Sequence, residues 1–260
     1  MHPRIAIAKF LLKLGRFIQS SAVVVMRPND LVEFSRRHYF KPANVQGWCD
    51  DQLVNSGFST LEHSLLDKIN VNKGRLLLLG LGGGREAIPL AKMGFEVTGV
   101  DFIPQMVEQA MANAKQNGVE ISGVVQEISK LDLPENAFDI AWLSAAMYSC
   151  VPTRKRRGDM LKRIAKALRP GGYFVFGFFW NPKADVSSKS VFLKKMVAWL
   201  SLGNLQYEKG DMLRFNLEFI HAFTAIEELK MEIIKGGFEL IDIQAIDGNE
   251  FAGAIARKPF

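Results

Sequence analysis

Five residues, Gly80-Leu-Gly-Gly-Gly84, constrain this chain more than any others. They follow a continuous apolar run, Arg75–Leu79, which reads as a strand buried on both faces. They precede a helical stretch, Glu86–Met93. Glycine lets a backbone turn tightly and lets a ligand approach with no Cβ in the way. Amides at the following helix start then face that ligand. Asp101 comes seventeen residues after Gly84, at the end of the next expected strand, Phe95–Val100. An acid there can accept hydrogen bonds from both hydroxyls of a ribose. Loop and acid together point to a nucleoside cofactor. A dinucleotide loop wants a small residue at its third helix-packing position, and here that position is Arg85. A ligand without a pyrophosphate fits better.

The same rhythm continues downstream. Pro104–Asn117 reads as a helix, Glu120–Val125 and Phe138–Leu143 as strands, Thr153–Leu168 as a helix and Tyr173–Phe179 as an apolar strand. This alternation predicts a parallel sheet with helices on both faces. Ser59-Thr-Leu-Glu62 is a capping box that opens a helix to about Ile69. Thr224-Ala-Ile-Glu227 promises a second box, with a helix to Lys235. Phe238–Ile246 and Glu250–Arg257 read as a strand pair around Asp247-Gly-Asn249.

Two segments fall outside the rhythm. Residues 1–57 form an N-terminal arm, with a helix over 4–20 and breakers at Pro28, Pro42 and Gly47. Residues 181–223 form an insertion or lid that contains a helix, Lys189–Leu202. The expected division is therefore an arm over 1–57 and a main domain over 58–260.

Five motifs in order resemble the class I S-adenosylmethionine-dependent methyltransferases. Leu76–Gly84 is similar to that family's first motif, and Val97-Thr-Gly-Val-Asp101 to its second strand with the ribose-binding acid. Val124–Ile128 precedes Leu133-Pro134 and Phe138-Asp139 at the family's spacing. Leu168-Arg-Pro-Gly-Gly172 resembles the turn before strand five, and the C-terminal helix, strand and hairpin resemble the family's closing antiparallel end. The resemblance implies a Rossmann-like, doubly wound α/β fold with a seven-stranded mixed sheet and an antiparallel C-terminal strand. It implies S-adenosyl-L-methionine as cofactor, held by Gly80, Gly82, Gly84, Asp101, Phe102, Glu127, Ile128 and Ser144. The family's usual acid at the third position of the first motif is here Leu78, and Glu86 or a group from the arm is a candidate substitute.

A methyl transfer from a sulfonium needs positioning and exclusion of water more than a catalytic triad. Ser144 and Tyr148 lie just past the fourth strand, at the edge where open α/β sheets bind ligands. His221 is the first choice for a general base, with Tyr148 as a second catalytic candidate. Tyr39 in the arm and Trp180 at the end of strand five are substrate candidates.

Charge bears on partners. The first twenty residues carry four cations and no acid. Residues 151–200 carry twelve lysines and arginines against two aspartates. Such asymmetry suits an anionic partner surface. The basic run Arg154-Lys-Arg-Arg157 has no interleaved aromatics for base stacking, so nucleic acid ranks below a small, hydrophobic acceptor. An NAD-dependent oxidoreductase is disfavoured by Arg85, and a catalytically inactive cofactor-binding homologue is kept open by Leu78. Two cysteines without metal spacing suggest reduced thiols, no metal and a cytoplasmic protein. The basic, amphipathic 4–20 segment adds a peripheral membrane contact as an alternative to a lid.

Overall fold

The computed structural model describes residues 3–183, 187–245 and 249–260. The chain opens with four helices, α1 (Pro3–Val25), α2 (Pro28–Tyr39), α3 (Pro42–Trp48) and α4 (Asp51–Val54). Next come α5 (Thr60–Leu66), β1 (Gly74–Leu79), α6 (Ala87–Lys92), β2 (Phe95–Asp101), α7 (Pro104–Gln116) and β3 (Ser122–Val125). After β4 (Phe138–Leu143) follow α8 (Arg154–Ala167), β5 (Leu168–Trp180) and α9 (Ser188–Ser201). The chain ends with β6 (Asp211–Arg214), β7 (Glu218–Phe223), α10 (Ile226–Lys235), β8 (Glu239–Gln244) and β9 (Phe251–Arg257).

The leucine run of β1 shows why the sheet is buried on both sides. Leu76 and Leu78 face one layer with Ile140, Trp142 and Val175, closed by Leu65 of α5, Leu90 of α6 and Val107 of α7. Leu77 and Leu79 face the other with Ala141 and Phe176, closed by α8 and α10 through Leu161, Ile164, Leu229 and Ile233. Side chains alternate across a strand, so only an uninterrupted apolar run satisfies both layers.

Strands β3, β2, β1, β4 and β5 are parallel neighbours in that order. β9 adds antiparallel to β5 and β8 antiparallel to β9, which completes the expected mixed sheet of seven strands. The expected turn at Asp247-Gly248 lies outside the described residues.

β6 and β7 were not expected. They form an antiparallel hairpin, and β7 pairs with the end of β5 at Phe179 and Trp180. β9 already occupies one edge of Phe179, so β7 takes the other, beyond the end of β4. This carries the hairpin past the carboxyl ends of the parallel strands. Its turn uses Phe215 and Asn216 at positive φ, with no glycine to announce it.

The arm also differs from expectation. Pro28 and Pro42 were read as breakers, but each begins a helix, where a missing N–H costs nothing. The first capping box forms: Ser59 N donates to Glu62 at 2.7 Å and Glu62 N to Ser59 Oγ at 3.3 Å. The second does not. α10 starts one residue later, from Ala225, with no side-chain cap.

Candidate functional site

The carboxyl ends of β1, β2 and β4 converge on the glycine loop. Gly80 N and Leu81 N donate to Val100 O at 2.8 and 3.1 Å, and Ser144 N donates to Leu79 O at 2.9 Å. The loop glycines serve different ends. Gly80 holds φ +84°, a conformation that side chains rarely adopt, and a Cβ there would also displace the Met147 sulfur. Gly82 has φ +52°, and a Cβ there would meet nothing within 4 Å. It is the point where the loop backbone lies open to a ligand.

Asp101 closes the site from β2. Its carboxylate accepts from Gly82 N and Ile103 N, each at 3.0 Å, and the residue is 8% exposed. Burial raises its pKa above the usual aspartate value, although amides of Gly82, Ile103 and Phe102 pull the other way. Gly82 N reaches Oδ2 and Ile103 N reaches Oδ1, and each oxygen has capacity for a further hydrogen bond. Glu127 follows β3 and accepts from Ser129 Oγ, with Lys130 Nζ at 3.3 Å. Burial opposes its charge, but Ser129 and Lys130 prevail and hold its pKa below the usual value. Ile128 begins the short 3-10 turn after it.

Leu78, in place of the family's acid, is fully buried in the core. Glu86 instead lies beneath the loop. It accepts from Ser144 Oγ and pairs with Arg85 at 2.6 Å. Arg85 also forks onto both oxygens of Glu62, at 2.7 and 2.8 Å, and donates to Gly57 O at 2.8 Å. The residue that spoils a dinucleotide loop thus ties the glycine loop to α5. Burial raises the Glu86 pKa despite Arg85.

The arm lies over this site. A Cβ at Gly83 would overlap Trp48 O, so the loop accepts the end of α3 only because it is glycine. Cys49 Sγ is 3.7 Å from Met106 Sδ. Arg36 sits over the Phe102 ring at 5.3 Å, and the Tyr39 and Phe40 rings approach Phe102 at 6.5 and 5.7 Å. Tyr39 donates its hydroxyl to Glu218 at the start of β7. Burial first, then Cys150 and Glu218, raises the Tyr39 pKa and keeps the phenol neutral. Glu218 was absent from the sequence reading because its strand was unrecognised. Trp180 ends β5 almost buried, and its indole N–H has no partner among the described residues. A cavity of about 180 Å³ opens between α5 and the ends of β4, β5 and β9, lined by Arg85, Trp142, Ala145, Gly177 and Phe251. Neither Asp101 nor Gly82 lines it.

Tyr148 and His221 fall into a different group. Tyr148 is fully buried and donates to Glu232 at 2.9 Å. The buried Arg157 meets both Glu232 oxygens at 2.8 and 2.7 Å and Glu208 at 2.8 Å. Burial opposes the Glu232 charge, but Arg157 outweighs it and lowers the pKa. Arg154 reaches Glu208 at 2.9 Å and Glu232 at 3.2 Å, and also pairs with Glu228. His221 is fully buried, with Nδ1 bonded to Asp211 at 2.8 Å and Nε2 3.9 Å from Glu228. Glu208, Asp211 and His221 could present three donors to a cation, but Arg157 already compensates Glu208. Two of the four cations in the basic run 154–157 are therefore paired with acids of the protein itself, Arg157 fully buried and Arg154 at the surface.

Residues 77–176 match a methyltransferase domain family. The chain is 27% identical over 164 residues to a ubiquinone biosynthesis O-methyltransferase of Rickettsia conorii, covering 63% of this chain and 53% of the relative. It is 35% identical over 135 residues to the enzyme of that name from Paramagnetospirillum magneticum, covering 52% of each. The chain thus spans about half the length of these curated relatives. A solved structure of Burkholderia thailandensis 1,6-didemethyltoxoflavin-N1-methyltransferase, with S-adenosylhomocysteine bound, shares the fold at a TM-score of 0.59 and 22% identity, over 88% of each chain. The glycine loop and the acid on the next strand both fall inside the stretch that matches the methyltransferase domain family, and the sheet with its antiparallel end has the fold of solved S-adenosylmethionine-dependent methyltransferases.

Proposed function

We propose that the protein methylates a hydroxyl group of a small, largely apolar aromatic acceptor, with S-adenosyl-L-methionine as donor. The carrying observation is the Asp101 carboxylate bonded to Gly82 N–H, beside the one loop glycine whose side-chain position is open. On this reading the glycine loop and Asp101 hold the ribose end of the cofactor. Phe102, Glu127 and Ile128 flank the adenine, and Ser144, oriented by Glu86, lies toward the amino-acid end. The bound cofactor supplies a methyl group already activated on a sulfonium. The chain excludes water by laying α2 and α3 over the loop.

Tyr39 and Glu218 belong to the acceptor side. The Tyr39 ring stands 6.5 Å from Phe102 and its neutral hydroxyl holds Glu218, whose other oxygen is 3.5 Å from Arg214, and the Glu218 carboxylate takes the acceptor's hydroxyl proton. We assign this role to Glu218 rather than His221, whose Nδ1 is held by Asp211 and whose Nε2 faces Glu228. Trp180 offers its unpaired indole N–H to the acceptor. The O-methyltransferase names of two relatives support hydroxyl chemistry. Nucleic acid is disfavoured because Arg154 and Arg157 are spent on Glu208 and Glu232.

The test is transfer of labelled methyl groups to a panel of phenols and catechols, run beside total RNA. Labelling of one or more phenols, lost in Glu218→Gln with cofactor affinity retained, is the expected result. Labelling of RNA alone would overturn the acceptor class. Cofactor binding without transfer to any acceptor would favour the inactive-homologue reading that Leu78 keeps open.

A further inference from the structure

We propose that the apolar faces of α1 and α9 form a docking surface for an anionic lipid bilayer. Helix α1 runs 23 residues, about 34 Å at 1.5 Å per residue, yet only Ser21, Val23 and Val24 near its end are buried. Before them Ile7, Phe10, Leu11, Leu14 and Ile18 are exposed, Phe10 and Ile18 at 63% each. These five share one stripe of the helix, and Lys9, Lys13 and Arg16 lie across from it.

Helix α9 packs on α1 and leaves its largest apolar side chains outside. Its inward side packs Ala198, Val191 and Val197 and also carries Lys194, with the Lys194 ammonium over the Tyr207 ring at 5.4 Å. Its outward side carries Phe192, Trp199 and Leu200, which are 64%, 69% and 70% exposed. A lid would turn that face onto the protein. Here a lysine occupies the inside and a tryptophan the outside, so the apolar face is built to meet something else.

Charge selects the occupant. The α1 helix holds Arg4, Lys9, Lys13 and Arg16 and no acid, and α9 adds exposed Lys189 and Lys195, again with no acid. A second copy of the two helices would bring no acid to answer these cations. Anionic headgroups neutralise the cations while the acyl boundary takes the side chains. No described helix is long and apolar enough to cross a membrane, so α1 and α9 lie along the interface. The surface gives the methyl-transfer reading a place to collect an apolar acceptor, and its test requires no turnover.

The full chain should be floated with phosphatidylcholine vesicles, with and without phosphatidylglycerol, at low and high salt. It should rise with the anionic vesicles alone and be released by salt. Brominated acyl chains should quench its fluorescence, and Trp199→Phe should remove most of that quenching. Combined Arg4→Ala, Lys13→Ala and Arg16→Ala should weaken partitioning on the order of a hundredfold. Titration with S-adenosylhomocysteine should remain unchanged in these variants, which separates lost docking from a lost fold or a wrong cofactor assignment. Protein that stays with the soluble fraction at low salt overturns the proposal. So does a lipid-free dimer, seen by sedimentation, that Phe192→Ser and Trp199→Ser disperse, because a second copy would then cover the face.

Discussion

Two regions of this protein bury carboxylates, and they do so to opposite ends. Around Glu232, every acid is answered. Arg157 forks onto both Glu232 oxygens, Arg154 and Tyr148 add to the same group, and Glu208 shares the arginines. Around Asp101, only backbone amides answer, those of Gly82, Ile103 and Phe102, and no cation pairs with the group among the described residues. Burial wins at Asp101 and raises its pKa, whereas Arg157 wins at Glu232 and lowers it. A finished ion pair staples α8 to α10. The proposed cofactor site rests on the other arrangement, an acid held only by amides beside an open stretch of backbone.

The largest effect that would break this contrast lies in the staple. Arg157→Leu leaves Glu232 buried without its main partner and should cost about 3–5 kcal/mol of stability, measured by urea unfolding. A loss below about 1 kcal/mol would mean the pair is dispensable. At the other region, Gly82→Val introduces a branched side chain at positive φ where the ligand's backbone contact is expected. Cofactor affinity should fall by about a hundredfold or more, with unfolding shifted far less than in Arg157→Leu. Normal binding would reduce the loop to a turn.

Tyr148→Phe removes one donor from Glu232 while Arg157 remains. It should lower stability by about 1–2 kcal/mol and leave cofactor affinity unchanged. A loss of methyl transfer with intact stability would instead move Tyr148 into the reaction. The smallest effect is a pH dependence. Ribose hydroxyls donate to the ionised Asp101, so cofactor affinity should rise with pH through the raised Asp101 pKa. Below that pKa it should fall by up to about tenfold per pH unit. Glu232 acts on stability, and in the same direction with pH. Its lowered pKa contributes stability that is present above the ordinary glutamate range and is lost as pH falls through the folded value.

The sequence was most legible where one physical demand acts alone. β1 needs two buried faces, and Leu76–Leu79 meets it with four leucines. The loop needs a turn and an open backbone, and glycine supplies both. Side chains with two demands were harder. His221 and Tyr148 read as catalytic from residue type and sheet position, but Asp211 and Glu232 come to them from other segments, which no local pattern announces. The β6–β7 hairpin escaped because Phe215 and Asn216 hold its positive-φ turn, and with it went Glu218. The outward aromatic face of α9 was visible as a stripe. Which way the stripe points is a tertiary fact, decided by how Lys194 and Ala198 pack inward.

The central claim is that Asp101 and the glycine loop form the cofactor cradle. Calorimetric titration with S-adenosylhomocysteine tests it most directly, comparing the unaltered protein with Asp101→Ala. Two charge-assisted hydrogen bonds to the ribose are at stake, about 2–4 kcal/mol together. Single-site binding is expected in the unaltered protein, with a loss of affinity of roughly thirtyfold to a thousandfold in the folded variant. Equal affinity in the two proteins would contradict it.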